Sequence, residues 1–91
     1  MIGKSFKVSI FSPRRIVYEG QVSSLIAPAE LGYLGVLVNH APLIANLVPG
    51  KIILKEASDR PKVFNLTGKG IMEVLENNVS MLIDSAEEAG E

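Results

Sequence analysis

The sequence predicts an all-β fold: a two-sheet antiparallel β-sandwich of about eight to ten short strands with no substantial helix. Three observations carry that reading. Gly, Pro, Asn and Asp recur so often that the longest stretch free of them is residues 4–12, short even for one helix of ordinary length. Between these breaks, apolar and polar residues alternate with the period of two that a half-buried strand requires. Strand also follows strand with short connections, and a single such sheet would leave an apolar face in water, so a second must cover it.

The elements follow in order. Phe6, Val8 and Ile10 alternate with Lys7 and Ser9 as a first strand, which Ser12-Pro13 turns. Strands at 15–19 and 21–27 come next, then a turn over 28–31. Another strand covers 43–46, and Pro49-Gly50 turns into Ile52 and Leu54, which alternate with Lys51 and Lys55. A turn at 57–61 leads to a strand at 62–66, and Gly68-Lys69-Gly70 turns into a strand at 71–75. Residues 76–78 form a hairpin turn, signalled by Asn77-Asn78 because Asn tolerates the left-handed region. Val79, Met81 and Ile83 alternate with Ser80 and Asp84 as the closing strand. Residues 1–84 thus form the sandwich. Residues 85–91 are an acidic tail, either frayed or one turn of helix capped by Ser85.

The run from Ala29 to Leu43 stands apart. It holds Gly32, Gly35, an apolar stretch and an Asn39-His40-Ala41-Pro42 corner. Glycine permits positive φ, and Pro42 fixes its own φ while pushing Ala41 toward extended backbone. A shaped loop between two strands is expected there, not a catalytic motif.

Composition narrows the function. Ninety-one residues make one domain. Apolar residues are 47% of it and aromatics only 5%, so the core must be aliphatic. A mean hydropathy of +0.29 is high for so small a domain, so a partner is expected to cover part of the apolar surface. The net charge of −1 argues against a nucleic-acid ligand, which needs a basic footprint, and Arg14-Arg15 reads as a solvated turn. With no cysteine there is no disulfide framework or thiol nucleophile, which fits a reducing compartment. No apolar run approaches the ~20 residues that span a bilayer. Met1-Ile2-Gly3-Lys4 is not followed by a secretory segment, so the mature chain is expected to begin here.

The search for chemistry finds little. His40 is the sole histidine, and no serine is placed by the sequence to be its nucleophile. A lone loop histidine is more often a hydrogen-bonding or contact residue. Glu19, Glu30, Glu56, Asp59, Glu73, Glu76 and Asp84 are scattered over edges and turns and read as solvated faces. Gly68-Lys69-Gly70 lacks the glycine loop and helix of a phosphate cradle, and reads as a strand-to-strand turn.

Three groups of residues carry a resemblance. The first is Phe6 to Ile10 with Ser12-Pro13 and Val17-Tyr18-Glu19-Gly20. The second is Gly35-Val36-Leu37, Asn39-His40-Ala41-Pro42-Leu43 and Pro49-Gly50-Lys51-Ile52. The third is Gly70-Ile71-Met72-Glu73-Val74 with Asn78-Val79 and Asp84. In this order and spacing they resemble the N-terminal β-sandwich domain of the ε subunit of F-type ATP synthases, called δ in mitochondria. The likeness runs from Phe6 to about Ala86. It implies a non-catalytic rotor part at the foot of the central stalk, without cofactor or metal. Its partners would be the γ subunit, the polar loops of the c-ring, and the α and β subunits within the complex. Such a subunit couples proton- or sodium-driven rotation to ATP synthesis, peripheral to the cytoplasmic face of a bacterial inner membrane. By position in the motif, Ser12, His40 and Ala45 would lie near γ, and Gly32, Tyr33 and Leu34 toward the c-ring.

The chain departs from the family pattern in places. Leu31 and Tyr33 stand where acidic residues are common, leaving Glu30 as the nearby carboxylate, and Val38 replaces the usual proline before Asn39. Most bacterial members continue into a two-helix domain where this chain stops. A natural chain of this length would be a short form with no helix-mediated inhibition and no nucleotide site; in a cut chain that part is simply missing. The competing reading, a free-standing sandwich module for carbohydrate or peptide, needs an aromatic platform. Phe6, Phe11, Tyr18, Tyr33 and Phe64 must serve core and surface together.

Overall fold

A computed structural model describes residues 4–58 and 60–89. Nine strands follow one another: β1 Phe6–Phe11, β2 Ile16–Ala29, β3 Gly32–Leu37, β4 Leu43–Leu47, β5 Gly50–Glu56, β6 Pro61–Leu66, β7 Gly70–Leu75, β8 Asn78–Ile83 and β9 Ala86–Glu88. No helix occurs among the described residues, as the punctuation by Gly, Pro, Asn and Asp predicts.

The long strand β2 organises both layers. Its first half pairs with β1, and its second half is flanked by β3 and β5. One layer continues β1-β8-β7-β4, the other β2-β5-β6-β9, with β3 on the free side of β2. At the far end, Ala29 of β2 meets Leu47 of β4 and draws the layers together. Val22 and Leu25 are both buried although three residues apart. A register shift between Val22 and Ser24 makes this possible, because a bulge inserts one residue and keeps the same face inward.

The core is aliphatic, as composition requires. Val8, Ile10, Met72 and Met81 from one layer meet Val22, Leu25, Ile52 and Leu54 from the other, all fully buried. Phe6 and Phe64 are the buried aromatics.

Four local expectations are corrected. Gly32–Leu37 is not a loop but strand β3, paired with Ser24–Ala29; the actual turn is Glu30-Leu31. Gly32 has a φ of +129°, whereas Gly35 is an ordinary strand residue. The hairpin turn is Glu76-Asn77 rather than Asn77-Asn78, with φ of 49° and 63° closing the Leu75–Asn78 pair. The acidic segment is neither frayed nor helical over Ala86–Glu88, which adds β9 to the edge of β6. Buried Ala86 and a 2.9 Å ion pair between Lys62 and Glu88 hold it there. The ends of the chain at 1–3 and 90–91, and Asp59 in the expected turn, lie outside the described residues.

One pairing is not antiparallel. β1 and β8 run parallel, from Lys7 opposite Asn78 to Phe11 opposite Leu82. Alternation sets which face a strand buries, but not which distant strand becomes its neighbour.

Candidate interaction face

Register assigns each side chain of the β1-β8-β7-β4 layer to a face. Ile10, Met81, Met72 and Ala45 form one cross-strand row, and the first three are fully buried. The neighbouring row, Phe11, Leu82, Ile71 and Asn46, points the other way. Ile44 is outward as well, beside Glu73. Leu82 is 59% exposed and Ile44 66%, with Ile71 and Leu75 also open to solvent on this face. Single exposed apolar residues are ordinary; several on one sheet face make a patch of the kind that a partner covers. This is the excess apolar content anticipated from hydropathy.

The residues singled out for one interface are spread along this layer rather than gathered. Ser12 follows β1, where its backbone N–H donates to the Arg15 carbonyl at 2.9 Å. It shares a cleft of about 620 Å³ with Phe11, Glu30, Asn46, Leu82 and Asp84. His40 sits at the opposite end, in the β3–β4 connection. Ala45 lies between them in the inward row, half-buried and packed against the core. Its neighbour Ile44 is the residue that points out. Sequence reasoning missed Ile44 because Leu43-Ile44-Ala45 is apolar throughout and shows no alternation.

Gly32, Tyr33 and Leu34 open β3 at the same end as Ser12. Positive φ at Gly32 completes the turn after Glu30 and fully exposed Leu31. Leu34 packs against the core and is half-buried, whereas Gly32 and Tyr33 are exposed. Together with Leu31, Leu43 and Ile44 this segment lines a groove of about 440 Å³ between β3 and β4. The Glu30 N–H donates to the Asn46 carbonyl at 3.0 Å, and Asn46 Nδ2 donates to Glu30 Oε1 at 3.4 Å. The one nearby carboxylate is thus tied to β4.

Among the described residues, the titratable groups form no reactive set. His40 Nδ1 donates to the Ala41 carbonyl at 2.7 Å, since a carbonyl oxygen can only accept. No group of three or more His, Cys, Asp or Glu converges to hold a metal among the described residues. Burial, then the Glu56 hydrogen bond and its charge, push the Tyr18 phenol above its ordinary value. That side chain donates to Glu56 Oε2 at 2.7 Å and packs edge-on against Phe64, as a structural tie between β2 and β5. Among the described residues no aromatic platform forms either. Phe6 and Phe64 are buried, Tyr18 and Phe11 are half-buried, and Tyr33 stands alone.

Comparison with known proteins decides the family. The profile described as "ATP synthase, Delta/Epsilon chain, beta-sandwich domain" matches residues 5–89. The chain belongs to this family. An ATP synthase epsilon chain of Leptospira interrogans is 40% identical over 84 residues, covering 92% of this chain and 65% of that protein. The chain therefore spans about two thirds of that relative's length. A chain of the Euglena gracilis mitochondrial ATP synthase OSCP/F1/c-ring structure has the same fold, with a TM-score of 0.87 at 16% identity. That match covers 97% of this chain and 56% of the other. A chain of the Tetrahymena thermophila mitochondrial ATP synthase central stalk/c-ring structure gives a TM-score of 0.75 at 14% identity, over 94% and 68%. Within the delta/epsilon sandwich family, β9 and the Glu76-Asn77 turn both fall inside the matched range.

Proposed function

We propose that the chain works as the ε-type rotor component of an F-type ATP synthase, non-catalytic itself, at the foot of the central stalk. The match of residues 5–89 to the delta/epsilon sandwich domain carries this reading. It gains support from the relative named an ATP synthase epsilon chain, and from chains of like fold in mitochondrial ATP synthase structures that include the c-ring.

In this reading γ lies along the outer face of β1-β8-β7-β4. Phe11, Ile44, Ile71 and Leu82 supply its apolar contacts, with Ser12 and His40 at its two ends. Gly32, Tyr33 and Leu34, with Leu31 and Glu30, face the polar loops of the c-ring. The complex also contains α and β subunits and sits at the cytoplasmic face of a bacterial inner membrane. Ion-driven rotation of the ring passes through this domain to the head where ATP is made. A sandwich suits that task, because a close-packed interior deforms little and transmits strain. The open apolar row becomes the centre of a well-packed contact.

The test is a pull-down with γ, followed by a coupling assay in native membranes lacking the chain. Association with γ and loss of coupling between ion flow and ATP turnover are expected. Intact coupling with an assembled complex would end the reading.

A further inference from the structure

The β3–β4 connection, residues 38–42, bends through Asn39, a non-glycine residue at φ +66°. Its internal hydrogen bonds are short-range. The His40 N–H donates to the Leu37 carbonyl at 3.2 Å, and His40 Nδ1 donates to the next carbonyl. Ala41 and Pro42 are exposed. Among the described residues, the hydrogen bonds that join this corner to another segment all run to one side chain. The Asn39 N–H donates to Asn77 Oδ1 at 2.7 Å, and Asn77 Nδ2 donates to Asn39 Oδ1 at 3.0 Å. A backbone N–H can only donate, so this pairing fixes which way round the Asn77 amide sits.

Asn77 is itself held firmly. It is the second residue of a two-residue turn, and its carbonyl accepts the Lys7 N–H at 3.0 Å. The hairpin tip thereby joins the start of β1, the β7–β8 turn and the Asn39-His40 corner. We propose that Asn77 is the positioning residue for that corner: its side-chain amide fixes where His40 stands relative to the outer face of β4 and β7. This rests on the γ-binding reading only for its consequence. The clamp itself is a property of the free chain.

The turn allows a clean test, because glycine suits the left-handed backbone at position 77 and removes the amide without straining the turn. In the 91-residue chain, Asn77→Gly should leave the thermal midpoint within a few degrees of the unaltered protein. Hydrogen exchange at the Asn39 amide should accelerate about tenfold, and purified γ should bind several-fold more weakly. Asn77→Asp keeps the acceptor for the Asn39 N–H and should restore most of that protection and affinity. Adding Asn39→Gly to Asn77→Gly should weaken γ binding no further, since the two residues act as a unit. Unchanged Asn39 exchange in Asn77→Gly would overturn the clamp. Faster exchange with undiminished γ affinity would overturn its positioning role. If the unaltered chain fails to bind γ, the rotor reading falls, and the exchange measurements still decide the clamp.

Discussion

The Tyr33 hydroxyl accepts the backbone N–H of Lys51 at 3.2 Å, reaching from β3 across β2 to β5. The ladder between β2 and β5 runs only as far as Ile26 opposite Ile53. Beyond it lies Pro28, whose carbonyl accepts the Val48 N–H at 2.9 Å. The phenol takes over as partner for Lys51 where the ladder stops. Tyr33→Phe should therefore cost about 1 kcal/mol of stability. Faster amide exchange at Lys51, with the rest of β5 unaffected, is the measurement that checks it.

Glycine is needed under that phenol. A methyl group on Gly50 would stand 2.7 Å from Pro28 Cβ and 2.9 Å from the Tyr33 oxygen. Pro28 is buried and cannot yield. Gly50→Ala should destabilise the domain by about 1–3 kcal/mol, as overpacking does. Denaturant unfolding would read this as a lower midpoint with an unchanged slope.

Ile44 and Ala45 are adjacent but face opposite ways, and the same substitution should act differently at each. Ala45→Glu drives a carboxylate toward the row of Met72, Met81 and Ile10, and should cost about 3 kcal/mol of stability. Ile44→Glu adds charge on the outer face opposite Glu73, should cost no more than about 1 kcal/mol of stability, and should weaken γ binding at least tenfold. Thermal unfolding and γ titration of both variants separate the two effects. Equal loss of fold in both would place Ile44 inside the core.

Alkaline pH should expose the Tyr18–Glu56 contact. The phenol ionises at a higher pH in the folded chain than in the unfolded one, because burial and then the Glu56 carboxylate oppose its charge. The folded state therefore holds this proton longer, and its contribution is fully present below the ordinary phenol value, about 10. Stability should fall as pH rises from there toward the raised folded value. Tyr18→Phe should cost about 1 kcal/mol at neutral pH and remove this part of the alkaline slope. Urea titrations from pH 8 to about pH 11 compare the two chains.

The sequence made some of this legible for definite reasons. Phe6, Val8 and Ile10, and Val79, Met81 and Ile83, alternate cleanly with polar neighbours, and every one of them is buried. Strand β3 was hidden because Gly32 and Gly35 resemble loop residues, although Gly35 merely leaves its outward position bare. Strand β9 was hidden by its glutamates, which are tolerated because only Ala86 of its three residues is buried. Ser12 and His40 are expected together at one interface from a motif, yet strand direction sends them to opposite ends of one layer. The Asn39–Asn77 pair had no local signal at all, since nothing in one turn announces the amide arriving from another.

The parallel ladder between β1 and β8 has a bearing on how the molecule comes into being. A growing polypeptide emerges from the ribosome with Phe6–Phe11 well ahead of Asn78–Ile83. The opening strand can pair early with β2, but its second edge stays open until β8 has been made. Completion of this layer thus waits for β8, and a nascent chain stalled before Asn78 presents a bare strand edge to its surroundings.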